Sequence, residues 1–168
     1  MKVKAWAIAC GLAVCLLTQT AVAGPLDDGK AAFERRNYVK ALLLFRPLAE
    51  HGDAKAQHFL GFMYVNGKGV PQNFAEAVKW YRKAAEQGNA GAQNNLGLMY
   101  LKGNGVALDY VQAHMWFDLA AAGLSVSETG MRSSAANQRD AAAKHMSSAQ
   151  IAEAQRLARE WLTAHPRK

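Results

Sequence analysis

Histidine, serine and cysteine carry most enzyme chemistry, and the histidine spacing in this chain indicates no catalytic or metal site. The five histidines are His51, His58, His114, His145 and His165. None belongs to an H-E-x-x-H pattern, which places two zinc ligands and a general base on one helix. His114 and Asp118 lie four residues apart, but two ligands are too few for a closed metal site. We therefore predict no metal and no cofactor.

The serines do not form the pattern of an acyl-transfer enzyme either. Such an enzyme uses S-x-x-K, in which a lysine one helical turn away accepts the serine proton, and no serine here is followed by lysine at the third position. The hydroxyl residues cluster instead in one linking segment, where turn formation accounts for them: Ser125, Ser127, Thr129, Ser133 and Ser134. We predict no catalytic residue.

The N-terminal stretch has the pattern of a secretory signal peptide. Two lysines in residues 1–4 precede an apolar run over residues 5–17, and Ala21-Val22-Ala23 supplies the small residues that signal peptidase requires. We expect cleavage after Ala23 and a periplasmic or secreted protein. The apolar run is shorter than the roughly 20 residues that span a bilayer, so no stable membrane insertion is expected. Cys10 and Cys15 lie in the removed segment, which leaves no thiol for a disulfide or a metal site.

The charge of the chain argues against a nucleic-acid partner. The formal charge is +7 over 168 residues and becomes +5 without residues 1–23. The basic residues are scattered rather than clustered, as on an ordinary solvated surface. The length fits one domain.

Two stretches of equal length repeat one another. Residues 52–87 and 88–123, compared at a shift of 36, are identical at 15 positions. Self-similarity of this length is typical of a repeat array, in which each unit buries its apolar face against the next. We therefore predict one continuous all-α solenoid.

Each unit contains two helical patterns joined by a glycine-bearing turn. Asp53 and Asn89 stand where helix N-caps belong. Gly61 and Gly97 lie in the middle of the first helices, where glycine costs about 1 kcal/mol relative to alanine. Because both units have this unfavourable glycine at the same position, we predict that another helix crosses there too closely for a side chain. The G-x-G turns that follow these helices have no preceding strand and no third glycine, so we do not interpret them as phosphate loops.

The second helices are predicted over about residues 73–86 and 109–122, with alanines and aromatic residues alternating on the inward side. Residues 24–51 are predicted to form an N-terminal helical hairpin, a divergent repeat whose first helix covers about 26–36. Residues 124–168 are predicted to form a pair of capping helices, over about 131–145 and 148–164. Ser147 and Gln150 fit a capping box at the start of the last helix.

The repeated phrase A-x-A-Q-x-x-L-G-x-M-Y-x-x-G-x-G-V, at residues 54–70 and 90–106, resembles the Sel-1-like repeat, a relative of the tetratricopeptide repeat. The phrase A-x-x-W-[YF]-x-x-A-A at residues 77–85 and 113–121 carries the same resemblance. The resemblance implies a right-handed α/α superhelix whose concave face binds a protein or peptide, and an adaptor rather than an enzyme. Ala107 replaces the usual proline, which Pro71 retains, so the second turn is expected to be looser.

Two functions follow from the resemblance. The first is a non-enzymatic adaptor that binds a partner through its concave face; the alternative is a cell-envelope hydrolase or peptidoglycan-binding factor of β-lactamase-like type, as discussed for some cysteine-rich secreted members. For the adaptor, the helix positions left exposed on the concave side predict an apolar strip at Phe62 and Leu98, flanked by amides and lysines, that suits an acidic peptide. The predicted partner-binding residues are Lys55, His58, Phe62, Asn66, Asn94, Leu98 and Lys102.

Overall fold

The computed structural model describes residues 24–124 and 128–166, and over these residues the chain is helical. The helices are α1 (Pro25–Glu34), α2 (Tyr38–Glu50), α3 (Ala54–Asn66), α4 (Phe74–Glu86), α5 (Ala90–Lys102), α6 (Tyr110–Gly123), α7 (Thr129–Ala143) and α8 (Ser148–Ala164). The predicted signal peptide, residues 1–23, lies outside the described residues, as do Ser125 and Ser127. None of the described helices is both long and apolar enough to cross a membrane.

Successive helices pack against one another along the chain. The pairs α1–α2, α3–α4 and α5–α6 form antiparallel hairpins, and each second helix also packs against the first helix of the next hairpin. The first helices α3 and α5 contact each other directly. We call the side lined by α3, α5 and α7 the inner face and the side lined by α2, α4 and α6 the outer face. The architecture confirms the predicted all-α solenoid.

Side-chain caps and turn glycines fix where the repeated helices begin and end. The Asp53 carboxylate accepts a hydrogen bond from the amide of Ala56 at 2.7 Å, and Asn89 caps α5 in the same way. The first helices end at left-handed glycines, Gly67 with φ 62° and Gly103 with φ 68°. Both predicted N-caps are confirmed.

The turn that contains Ala107 is as tight as the turn that contains Pro71, so the expected loosening is wrong. Asn73 N donates to Tyr64 O at 3.0 Å in the first turn, and Asp109 N donates to Tyr100 O at the same distance in the second. Backbone hydrogen bonds and left-handed glycines define this turn, and proline at one position adds nothing that the geometry requires.

The mid-helix glycines lie under aromatic rings of the second helices. A Cβ atom on Gly61 would stand 2.5 Å from the Tyr81 ring, and one on Gly97 would stand 2.7 Å from the Phe117 ring. Both rings are buried. The predicted close crossing is confirmed, and the crossing partner is the second helix of the same unit.

The N-terminal hairpin repeats this packing. A Cβ atom on Gly29 of α1 would stand 2.5 Å from the ring of Phe45 on α2. Phe45 precedes Tyr81 by 36 residues. The hairpin α1–α2 therefore packs as a repeat unit does, although its sequence diverges.

An arginine on the outer helix of each of the first two units reaches a tyrosine on the next unit. Arg46 donates to the Tyr64 hydroxyl at 3.3 Å, and Arg82 donates to the Tyr100 hydroxyl at 2.9 Å. The third position in this series is Asp118, and its carboxylate accepts a hydrogen bond from Arg139 on α7 at 2.9 Å. At this last interface the arginine therefore lies on the following helix, α7, and the outer helix α6 supplies the acceptor.

Helices α7 and α8 both pack against α6 and make hardly any contact with each other. Helix α7 places Ala142 beside Ala113 and Phe117, whereas α8 packs Ala158 and its neighbours against the cluster that contains Trp116 and Leu119. The predicted capping box at Ser147 is confirmed. Both predicted capping helices are present, and they cover two different sides of α6, because α6 has apolar residues on both.

The bond between α6 and α7 gives a first testable expectation. Arg139 also binds Asp140 at 2.8 Å, and these two partners raise the pKa of its guanidinium. Arg139→Gln is expected to lower the free energy of unfolding by about 1 kcal/mol, because the pair is only partly screened by solvent. Arg156→Gln is the matched control, since the ion-pair partners of Arg156 among the described residues, Glu153 and Glu160, both lie within α8. Urea unfolding that shows an equal or larger effect for Arg156→Gln would contradict the expectation.

Candidate functional site

A small cavity opens on the inner face where α3, α5 and α7 meet. It measures about 200 Å³ and is lined by His58 of α3, by Ala90, Gly91, Asn94 and Asn95 of α5, by Leu124, and by Met131 and Ser134 of α7. We call it the inner-face pocket. It has an apolar wall and several uncharged polar groups.

His58 forms the α3 side of the pocket in its neutral form. Its Nε2 atom lies 3.0 Å from Asn95 Nδ2. Because the amide nitrogen can only donate, Nε2 accepts and the ring proton sits on Nδ1. Burial lowers the pKa of His58 to about 4. A neutral imidazole therefore faces the pocket at physiological pH.

Asn95 also interacts with the Tyr81 hydroxyl, beneath the pocket. Burial raises the pKa of that hydroxyl, and the hydrogen bond from Asn95 opposes the shift. The His58 ring lies 5.8 Å from the Tyr81 ring. Asn95 thus ties the pocket wall to the core of the second unit, which fixes the orientation of His58.

Asn94 presents a buried hydrogen-bond acceptor without a partner. Its Oδ1 atom is inaccessible to solvent and accepts no hydrogen bond from any residue that the structure describes. Burying such an acceptor unpaired costs about 1–3 kcal/mol. Ser134 lines the opposite side, where its Oγ accepts from Gln138 at 3.3 Å and keeps its own proton for donation. The pocket therefore offers both an acceptor and a donor to a neutral group.

Phe62 and Leu98, predicted to form an exposed apolar strip, are half-buried and packed against other side chains, and their part in partner binding stays a prediction. Phe62 lies 5.8 Å from the Phe33 ring, and the Lys68 ammonium stands 5.1 Å above it. Leu98 packs against the cluster formed by Ala113, Phe117 and Ala142. These covering groups come from outside the helices that carry Phe62 and Leu98, so the pattern of a single helix does not reveal them.

The remaining predicted site residues divide into two groups. His58 and Asn94 meet at the inner-face pocket. Lys55, Asn66 and Lys102 are exposed elsewhere on α3 and α5, and the Asn66 amide donates to the Phe62 carbonyl at 2.8 Å. Their part in partner binding stays a prediction.

Sequence reasoning missed Asn95, Met131 and Ser134. Asn95 has a signal in the repeat: it occupies the position of Phe59 in the preceding unit, which stacks on Phe45 at 4.6 Å. The replacement of a stacking aromatic ring by an amide indicates that position 95 has a different role from position 59. Met131 and Ser134 have no such signal, because the 36-residue register ends before α7.

The pair His114 and Asp118 is not arranged to hold a metal. His114 is buried, its Nδ1 has no hydrogen-bond partner in the described part of the chain, and burial lowers its pKa. The Asp118 carboxylate is engaged by Arg139. Within residues 24–124 and 128–166, no group of three potential metal ligands comes together.

A larger cavity of about 570 Å³ lies at the junction of the α4–α5 turn with the C-terminal ends of α6 and α8. Its walls include Trp161 and His165, whose rings stack at 4.3 Å. The cavity is open and contains no unpaired buried group among its described residues. The smaller inner-face pocket is the better candidate because it leaves a polar atom to be satisfied.

Comparison with known proteins supports the same architecture. A model of the Sel1 repeat matches residues 19–53, 54–89 and 90–123, well over half of the chain. No curated protein matches the chain in sequence. Repeats of this kind serve in general as scaffolds for protein–protein interaction and are typically non-catalytic.

Two solved structures are similar to this chain. One is a protective antigen present in uropathogenic Escherichia coli strains that displays an SLR fold; it is 34% identical, with a TM-score of 0.74 over 84% of this chain and 30% of that one. The other is a Sel1 repeat protein from Oxalobacter formigenes, 37% identical, with a TM-score of 0.57 over 60% of this chain and 40% of that one. The chain thus spans less than half the length of either structure. On the three matched repeats and this structural likeness, the chain belongs to the Sel1 repeat family.

Proposed function

We propose that this protein is an exported, non-enzymatic adaptor that binds an extended peptide segment of a partner protein in the inner-face pocket. The observation that carries the proposal is Asn94, which lines the cavity between α3, α5 and α7 and whose buried Oδ1 has no hydrogen-bond partner among the described residues. A backbone N–H of an extended peptide satisfies such an acceptor. The signal-peptide pattern of residues 1–23 supports an exported location.

The chemistry of the pocket favours binding over hydrolysis. A serine hydrolase needs a histidine that accepts the proton of the nucleophile. His58 Nε2 instead accepts from Asn95, and Ser134 Oγ accepts from Gln138. Both side chains are thereby held as parts of a binding surface.

The pocket also sets the type of group that it accepts. None of its described lining residues is charged, and Leu124 and Met131 form an apolar wall. Placing a charge against neutral, partly desolvated walls is unfavourable. The bound segment is therefore expected to place an uncharged residue here, with exposed Lys55 and Lys102 available to acidic residues on either side.

The test is affinity capture from the envelope fraction with the exported protein and two variants. Asn94→Leu fills the pocket and removes its acceptor, whereas Lys79→Ala alters an exposed position of the outer face. We expect one partner to be retained by wild type and Lys79→Ala and to be lost, by at least about tenfold in affinity, with Asn94→Leu. Equal retention by all three proteins would refute the inner-face pocket as the site.

Export is tested separately. Cell fractionation and N-terminal sequencing are expected to find the protein outside the cytoplasm with Gly24 as its first residue. Cytoplasmic protein that begins at Met1 would contradict the export part of the proposal and leave the pocket unaffected.

A further inference from the structure

The large cavity beside the α4–α5 turn lies where a polar contact of the repeat is interrupted. Its lining includes two buried residues, Gln93 of α5 and Leu119 of α6, and also Gly123, the last residue of α6. Trp161 and His165 of α8 form another part of the wall. We call this space the α8 cavity.

In the preceding unit, two glutamines form a chain of hydrogen bonds at the corresponding place. Gln57 of α3 is buried and donates from Nε2 to the carbonyl oxygen of Ala49 at 3.0 Å. Gln87, at the C-terminal end of α4, donates from its own Nε2 to Gln57 Oε1 at 2.8 Å. Both the nitrogen and the oxygen of the buried Gln57 carboxamide therefore have partners.

The next unit keeps the first of these hydrogen bonds and lacks the second. Gln93 takes the place of Gln57 and donates to the carbonyl oxygen of Ala85 at 3.2 Å. Gly123 takes the place of Gln87 and has no side chain to donate. A Cβ atom on Gly123 would stand 3.7 Å from Gln93 Oε1. The missing side chain thus leaves open space beside the oxygen of a buried carboxamide.

Gln93 Oε1 is an acceptor that a group in the α8 cavity can reach. The side chain belongs to a residue that is 2% exposed, and within residues 24–124 and 128–166 no N–H or O–H donates to this oxygen. The atom is not sealed from solvent, so its access runs through the cavity that Gln93 lines. The hydrogen bond to Ala85 fixes the orientation of the carboxamide, which presents Oε1 as a preorganised acceptor.

We propose that the α8 cavity binds the side-chain carboxamide of a glutamine in a partner polypeptide. The bound group takes the place that Gln87 fills in the preceding unit, and its N–H donates to Gln93 Oε1. Gln87 shows within this molecule that a carboxamide fits such a place. The α8 cavity and the inner-face pocket have no described lining residue in common, so the two sites are independent.

The remaining walls suit the rest of a glutamine side chain. Leu119 and Trp161 provide apolar surface for its methylene groups. The Glu86 carboxylate also lines the cavity and takes part in no ion pair within the described part of the chain, so it can accept the second N–H of the carboxamide. A glutamate side chain has the same shape but would set a carboxylate against these oxygens, which excludes it.

The test is an NMR titration of protein produced from the full-length sequence with capped single residues, followed through the indole N–H of Trp161. N-acetyl-glutamine N-methylamide is expected to bind with a Kd on the order of 1 mM. The corresponding glutamate γ-methyl ester is neutral and similar in shape but has no side-chain N–H. It is expected to bind at least about tenfold more weakly, as is the free glutamate compound.

Gly123→Gln tests the location of the site. The new side chain supplies the contact that Gln87 makes in the preceding unit, and it should weaken binding of the glutamine compound at least about tenfold. Ala90, which lies 3.2 Å from the Cβ position of residue 123, corresponds in the repeat to Ala54, so the preceding unit already accommodates this pair of residues. Gly130→Gln is the matched control, because nothing lies within 4 Å of its Cβ position, and it should leave the Kd unchanged.

Three results would overturn the proposal: no saturable shift of the Trp161 signal up to about 20 mM, equal binding of the glutamine and ester compounds, or undiminished binding by Gly123→Gln. Tighter binding of N-acetyl-arginine N-methylamide would overturn it too and assign the cavity to a cationic group. Circular dichroism confirms that each variant is folded, and the comparison of compounds on the wild type decides the question if Gly123→Gln does not fold. None of these results depends on capture through Asn94, so this site and the inner-face pocket can fail separately.

Discussion

Replacing Gly61 with alanine is expected to lower the free energy of unfolding by about 2 kcal/mol, although alanine is the better helix former. The new Cβ atom would stand 2.5 Å from the buried ring of Tyr81. Overpacking of this kind costs up to about 3 kcal/mol, and the gain in helix propensity returns only about 1 kcal/mol. Urea unfolding followed by circular dichroism measures the difference.

Gly130→Ala is the matched control. Gly130 lies in α7 with no atom within 4 Å of its ideal Cβ position. The same substitution is expected there to raise the free energy of unfolding by about 0.5 kcal/mol through helix propensity alone. A stabilising effect at both glycines would contradict the close crossing of α3 and α4. The double variant Gly61→Ala with Tyr81→Leu should cost less than its two single changes together, because the ring that the methyl group meets is gone.

Acidification from pH 7 to pH 5 is expected to lower the free energy of unfolding by about 2 kcal/mol through His58. The pKa of His58 is about 4 in the folded protein, against 6.5 for an unperturbed histidine. Below pH 6.5 the unfolded chain therefore takes up a proton that the folded chain refuses. The stabilisation is complete above pH 6.5 and is lost progressively as the pH falls toward 4.

His58→Gln isolates this contribution. The variant keeps a polar side chain beside Asn95 but does not titrate, so its stability should depend much less on pH between 7 and 5. His114→Gln measures how much the second buried histidine contributes to the pH dependence of stability, because burial lowers the pKa of His114 as well. Urea midpoints across this pH range give the slopes; a variant His58→Gln with the slope of the wild type would show that another group causes the loss.

The sequence predicted the repeat units well because their signals are local. N-cap residues, glycine turns and helical periodicity all act within one unit, and each appears twice. Gly61 also indicated a close helix crossing. Glycine destabilises a helix relative to alanine, so its presence there requires a gain in packing. The aromatic partner, Tyr81, followed only from the structure.

The candidate site was predicted less completely because it is assembled between units. Phe62 was expected to be open, but Phe33 and Lys68, both outside its own helix, cover it. His58 and Asn94 were named from their exposed helix positions and do meet at one pocket. Residues of α7 form the third wall of the pocket. The repeat has ended before α7, so the 36-residue spacing does not predict which of its residues face the pocket.

The arginine–tyrosine hydrogen bonds determine where further repeat units can be inserted into this array. The unit at residues 52–87 offers Tyr64 to the unit before it and Arg82 to the unit after it. A tandem duplicate of that unit, inserted after residue 87, would form the same bond at both of its borders. A duplicate inserted after residue 123 would set Asp118 against a tyrosine and separate it from Arg139. Gene duplication can thus extend the inner face from the middle of the array, while the unit that carries α7 and α8 stays at the end.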